Sequence, residues 1–224
     1  MDPLAIRGPI IQAAIDVLTI DEALRIAEAC VKAGVDWIEA GTPLITFAGV
    51  GAIGALARAF PETPVLADYK MMDGVRKYVA ETARQGGRLA TICAVASDAS
   101  IREAVRAANE HGITLISDLY AAPDVAGRAV ELREMGVHSV YVHWGADQRK
   151  EDPDRDPLWD LHGVVLHTHL PVGVGTFSVE DGVRAFQTGA DIVVIGVPLI
   201  QETNVEGAFR EYVQRAREAH AARS

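Results

Sequence analysis

The chain has 224 residues, 49% hydrophobic and 23% charged, with a formal net charge of -10. Its length suits one complete (β/α)8 barrel, which needs roughly 200 to 250 residues, and its composition supplies a sizeable core under a polar surface. Acidity without a basic stripe argues against a nucleic-acid partner, and no apolar run is long enough for a membrane span.

The first expected strand is Ile10–Asp16, followed by a helical pattern over Asp21–Ala33 and a second strand at Val35–Gly41. Pro64–Lys70 reads as the third strand, and Gly74–Gln85 as the helix after it. Strand Arg88–Ala94, helix Ser100–His111, strand Thr114–Tyr120 and helix Asp124–Met135 continue the alternation. Strand Ser139–Gly145 precedes a polar, proline-containing segment, Asp147–Pro157, read as a surface loop or a lid over a site. Strands Pro171–Thr176 and Asp191–Val197 and an amphipathic helix over Phe209–Arg223 complete the chain. Asp21 and Ser100 serve as start signals, and Gly34, Gly112 and Gly136 as stops.

Eight strand–helix units fit an open doubly wound sheet or a closed barrel. No Gly-x-Gly-x-x-Gly follows the first strand, the units are even, and polar residues gather at many strand ends. In a barrel those ends converge on one mouth. The expectation is therefore an α/β fold, one (β/α)8 TIM barrel spanning residues 1–224. Cys30 and Cys93 lack CxxC partners and read as buried reduced thiols. Met1 to Pro9 has no apolar signal core, and the two observations together suggest a cytoplasmic protein.

The chemistry concentrates after the third strand, in Asp68-Tyr69-Lys70-Met71-Met72-Asp73. Strand alternation turns Asp68 and Lys70 into the mouth and Tyr69 outward. Asp73 follows in the turn, so that two acids flank a lysine held protonated and suited to stabilising an oxyanion or returning a proton. Glu39, ending the neighbouring strand, pairs with Asp68 as the hard oxygen donors that Mg2+ prefers. Asp16 and Asp118 extend the polar ring, orienting Lys70 or substrate hydroxyls, and His143 is a candidate general acid or base.

These residues carry a resemblance. Ala67-Asp68-Tyr69-Lys70-Met71-Met72-Asp73 resembles the Asp-x-Lys-x-x-Asp signature of the orotidine monophosphate decarboxylase superfamily. Ala13-Ala14-Ile15-Asp16, Glu39-Ala40-Gly41-Thr42-Pro43 and Val142-His143-Trp144-Gly145 resemble the branch holding 3-hexulose-6-phosphate synthase and 3-keto-L-gulonate-6-phosphate decarboxylase. The resemblance, from about Ile10 to Ile200, implies a homodimer with sites at the interface and a Mg2+-stabilised enediolate. It implies Glu39 and Asp68 as metal ligands, Lys70 as cationic partner of the intermediate, Asp73 reaching the neighbouring subunit's site, and His143 handling a proton. Ala146 stands where the decarboxylases carry an arginine, which leans towards the synthase and its aldol reaction with formaldehyde.

The chain departs from this pattern at the phosphate grip. A Gly-Gly pair after the seventh strand and an arginine after the eighth are replaced by Gly175-Thr176-Phe177-Ser178 and by Val197. Thr176, Phe177 and Val197 become candidate substrate-binding positions beside Asp118, and Ser178 reads as an N-cap. Val197 cannot make a bidentate contact to phosphate. Asp73-Gly74-Val75 also departs, by a smaller change, from the usual Asp-Ala-Gly. Trp144 and Phe177 read as pocket lining or as packing, and His167-Thr168-His169 as a surface or packing feature on the opposite face. The expected function is a Mg2+-dependent lyase acting on a small ketose, one that carries no phosphate if the grip is lost. The alternatives are a β-keto acid decarboxylase and a non-catalytic binding or scaffold barrel.

Overall fold

The computed structural model describes residues 3–6 and 8–222; Arg223, the last residue of the expected final helix, lies outside them. Eight parallel strands close into a barrel in the order β1-β2-β3-β4-β5-β6-β7-β8, with β1 paired to both β2 and β8. The strands are β1 (Ile10–Ile15), β2 (Trp37–Ala40), β3 (Val65–Met71), β4 (Leu89–Cys93), β5 (Thr114–Asp118), β6 (Ser139–Val142), β7 (Val172–Thr176) and β8 (Ile192–Ile195). This is a (β/α)8 TIM barrel, as expected from the alternation.

The barrel interior is sealed at its lower end by Ile10, Trp37, Leu66, Leu89, Ile116, Tyr141 and Ile192, one residue from each of seven strands. Because side chains alternate, residues two positions further along these strands face the same lumen one layer higher. That parity carries Gln12, Glu39, Asp68, Thr91, Asp118, His143 and Val194 towards the mouth. Outward-facing Ile11, Ile38, Ala67, Ala90, Leu115 and Val193 form the larger core with the helices, where each fully buried Leu or Ile contributes about 1.5–3 kcal/mol.

The outer layer is α1 (Ile20–Ala33), α2 (Thr42–Ala48), α3 (Gly51–Ala59), α4 (Val75–Gln85), α5 (Asp98–His111), α6 (Val125–Glu134), α7 (Ala146–Glu151), α8 (Leu161–Thr168), α9 (Val179–Thr188) and α10 (Val205–Ala221). Two start signals shift. Thr19 rather than Asp21 caps α1, and Ser97 rather than Ser100 caps α5, because in each case the earlier residue's hydroxyl accepts from a backbone N–H of the first turn. Gly34 and Gly112 end α1 and α5 as expected, and Ser178 caps α9.

The polar segment after β6 is not wholly loop. Its first half forms α7, and its far end is pinned where Arg184 of α9 donates twice to Asp156 at 3.0 Å. Cys30 and Cys93 are buried free thiols, and burial pushes their pKa values up to about 12 and about 11, which makes them poor nucleophiles. His167, exposed on α8, donates from Nδ1 to the Gly163 carbonyl at 2.7 Å within its own helix, in keeping with a surface role. No single described helix is long and apolar enough to cross a membrane.

Candidate active site

A cavity of about 120 Å³ opens at the C-terminal ends of the strands, lined by Asp16, Glu39, Asp68, Lys70, Asp118 and His143 among others. All six were expected at a mouth, and strand parity brings them together there.

β3 supplies the centre. Lys70 adopts a left-handed backbone (φ 49), and the β3–β4 register shifts between Ala67 and Met71. The bulge aims the Lys70 ammonium at the Asp68 carboxylate, with Asp118 Oδ2 at 3.8 Å and Thr42 Oγ1 at 3.3 Å. A left-handed lysine is costly and persists where its surroundings over-determine it. Here the Lys70 N–H donates to Thr91 Oγ1 at 3.0 Å, and its carbonyl accepts from Cys93. Burial opposes the lysine's charge, but Asp68, Asp118 and Glu39 together outweigh it and hold the pKa above the ordinary value.

The second acid beside this lysine is Asp118 and not Asp73, as the spacing had suggested. Beyond the bulge the chain turns away from the lumen, and Asp73 lines a separate outer depression with Tyr69, Lys77 and Tyr78.

Asp68 is fixed on both oxygens. Thr91 Oγ1 donates to Oδ1 at 2.7 Å, and Thr42 Oγ1 donates to Oδ2 at 2.7 Å. Glu39 is buried, and Gln12 Nε2 donates to its Oε2 at 2.5 Å. Burial first, and then the Asp68 and Asp16 charges, raise the Glu39 pKa well above the usual carboxylate range; Asp16 is raised in the same way by desolvation and Asp68. Crowded carboxylates of this kind suit a divalent cation, which would offset both penalties. Among the described residues no group of three or more His, Cys, Asp or Glu side chains surrounds one point. Glu39 and Asp68 fit an ion that keeps water or substrate oxygens for its remaining positions, the habit of Mg2+.

His143 lies just past the end of β6, with Nδ1 2.8 Å from Asp118 Oδ2. The carboxylate, itself accepting the Tyr120 N–H at 2.9 Å, fixes the tautomer with the proton on Nδ1 and leaves Nε2 basic. Burial lowers the imidazole pKa, but the Asp118 hydrogen bond and charge prevail and raise it above the ordinary histidine value.

The other side of the mouth differs from expectation. On β7, Gly173 and Gly175 occupy the inward parity, so Thr176 faces the helices. Its hydroxyl donates to the Val194 carbonyl at 2.9 Å and lies 2.7 Å from the Tyr212 hydroxyl of α10. Thr176 is thus a packing residue and Gly175 takes its place in the lining. The Phe177 N–H is taken by Asp181 at 3.1 Å, and the Phe177 ring lies under the Arg149 guanidinium, 4.2 Å from its centroid. Val197 is 42% exposed beyond β8 and lines none of the cavity. Trp144 also lies outside it, stacked under Arg155 at 4.6 Å.

Sequence reasoning passed over Gln12, Thr42, Thr91 and Tyr141. Three of them carried a signal: Gln12 and Thr91 are polar residues on the inward parity of otherwise apolar strands, and Tyr141 precedes His143 by two positions on its strand.

With the geometry in view, the chain matches the profile of the orotidine 5'-phosphate decarboxylase / HUMPS family over residues 9–212. It belongs to that family. A 3-hexulose-6-phosphate synthase of Staphylococcus epidermidis is 34% identical over 189 residues, covering 83% of this chain and 88% of that protein. The structure of 3-hexulose-6-phosphate synthase from Salmonella typhimurium superimposes with a TM-score of 0.89 at 29% identity, covering 95% of this chain and 100% of that one. A 3-keto-L-gulonate-6-phosphate decarboxylase from Vibrio cholerae shares the fold, with a TM-score of 0.82 at 19% identity and coverage of 94% and 98%. The likeness to the synthases makes this member of the family a carbon–carbon lyase and sets the scaffold alternative aside.

Proposed function

We propose that the chain is a Mg2+-dependent aldehyde-lyase that makes or breaks a C–C bond beside the carbonyl of a small ketose, with formaldehyde as the one-carbon partner. The observation that carries this reading is the Asp68–Lys70–Asp118–His143 chain, which joins a fixed cation to a base of defined tautomer. A divalent ion held by Glu39 and Asp68 would polarise the ketose carbonyl and its neighbouring hydroxyl.

In the forward direction His143 Nε2 takes a proton from the carbon next to the carbonyl, and Asp118 stabilises the imidazolium that results. The Lys70 ammonium supports the negative charge that develops on oxygen. The carbanion carbon then bonds to the formaldehyde carbon as its C=O π pair moves to oxygen, and the new alkoxide takes the proton back from the His143 imidazolium, restoring the neutral base. The same residues run the cleavage in reverse.

The distal end of the substrate is gripped differently from the usual family member. The Thr176 hydroxyl is spent on packing, the Phe177 N–H on Asp181, and Val197 offers no charge. We therefore assign a ketose that is not held through a terminal phosphate in the family's manner. Incubation with Mg2+, formaldehyde and either a 2-pentulose or its 5-phosphate tests this reading. Formaldehyde consumption with the free sugar supports it. Release of CO2 from a β-keto acid, with no formaldehyde chemistry, would select the carboxy-lyase alternative.

We further propose a cytosolic homodimer. Phe47, Met72 and Tyr78 are 72%, 49% and 44% exposed on elements flanking β3, Tyr78 in the depression it shares with Asp73, and a second copy covering them would bring Asp73 to its partner's mouth. Mixing the inactive variants Asp73→Asn and His143→Asn should then restore part of the activity, and no restoration would count against a shared site.

A further inference from the structure

Gln12 is a fully buried amide in the lumen and does not line the cavity at the mouth. On β1 it pairs with Trp37 of β2, two positions before Glu39, so its carboxamide lies directly under that carboxylate. The Tyr141 O–H, reaching across from β6, donates to Gln12 Oε1 at 2.7 Å. A phenol donating to the carbonyl end leaves the amide only one orientation, with Nε2 turned to Glu39 Oε2 at 2.5 Å.

Tyr141 is held in turn. A Cβ on Gly173 would lie 2.4 Å from its ring, so the bare glycine of β7 is what lets the phenol cross the lumen. Around this pair the floor is Ile10, Trp37, Leu66, Leu89, Ile116 and Ile192. A polar bridge in such surroundings carries a desolvation cost that an apolar pair of the same shape would avoid, so stability is a weak reason for its presence. What the bridge does is fix one oxygen of Glu39; among the described residues the other, Oε1, has no hydrogen-bond partner.

We infer that Gln12, locked by Tyr141, is a positioning residue that holds Glu39 with Oε1 turned to the mouth and thereby sets the affinity for a divalent cation at Glu39 and Asp68. This rests on the metal reading proposed above. Partners beneath a ligand matter because they remove the rotational freedom the ligand would otherwise lose on binding.

The experiment is an EPR titration of the full chain with Mn2+, comparing wild type, Gln12→Met and Tyr141→Phe, with thermal melts of each. Gln12→Met keeps the volume and removes both bonds; Tyr141→Phe removes only the hydroxyl and remains informative should the first variant fail to fold. We expect Gln12→Met to weaken Mn2+ binding about 10- to 100-fold, and Tyr141→Phe to weaken it less, while both melt cooperatively. Saturating Mg2+ should return most of the kcat lost in Gln12→Met, since Gln12 does not line the cavity. If wild type binds Mn2+ and both folded variants bind it equally well, the positioning role is overturned and the metal reading stands. If wild type itself binds no Mn2+, the metal reading falls and takes this inference with it.

Discussion

The two sides of the barrel mouth are built on opposite principles. From β1 to β6 the rim is charged, and its groups are committed to one another: Asp68 to Thr42, Thr91 and Lys70, Asp118 to His143, Glu39 to Gln12. From β7 to β8 the lining is Gly175 and Val194, and the polar groups nearby satisfy themselves away from the cavity. On the proposed reading, the first side faces the reacting carbons and the second faces the rest of the substrate. Chemistry and grip are separable on this fold because they are supplied by different strands.

The largest effect should come from the charged side. Lys70→Ala removes the cation that faces the developing oxyanion, and kcat should fall by about 10²- to 10³-fold or more. Steady-state kinetics alongside a thermal melt check this; retention of more than a tenth of the activity would break the contrast between the two sides.

A gain-of-grip variant sharpens the comparison from the other side. Val197→Arg supplies a charge-assisted contact of about 1.5–3 kcal/mol, so KM for a phosphorylated ketose should drop about 10- to 100-fold with kcat little changed. An unchanged KM would mean that the phosphate end does not approach β8.

The pH dependence probes the dyad. His143 must be neutral to accept a proton, so activity is lost as pH falls through its pKa, which stands above 6.5 in the folded chain. Asp118→Asn removes the partner that raises it while the burial that lowers it remains. The acidic limb of the kcat/KM profile should therefore move to lower pH, with a loss of rate from poorer orientation of the ring. A limb that stays in place would assign it to another group.

The smallest effect is expected at Thr176. Its hydroxyl serves Val194 and Tyr212, so Thr176→Val should cost about 1 kcal/mol in urea unfolding and leave kcat/KM within about twofold. A large kinetic effect would return this residue to the substrate.

Much of this was legible in the sequence. Short apolar runs alternating with amphipathic segments marked the eight strands, and the two-residue period within a strand turned Asp68 and Lys70 to one lumen. Parity applied as strictly to β7 would have shown Thr176 facing outward, since two glycines take the inward positions. Asp73 was misplaced for a different reason. The left-handed Lys70 ends the alternation, and nothing in a non-glycine residue announces that conformation. Gln12 and Tyr141 lie 129 positions apart in sequence, and only closure of the barrel brings them together.

The most direct test of retained chemistry with altered grip is exchange of the C1 proton in D2O, followed by NMR. A 2-pentulose and its 5-phosphate would be compared with Mg2+ present and formaldehyde absent. Retained chemistry with altered grip means exchange of both sugars, with kcat/KM values within about tenfold, or roughly 1.4 kcal/mol, of each other. Exchange confined to the phosphate ester, with the free sugar about 10³-fold worse or silent, would contradict it.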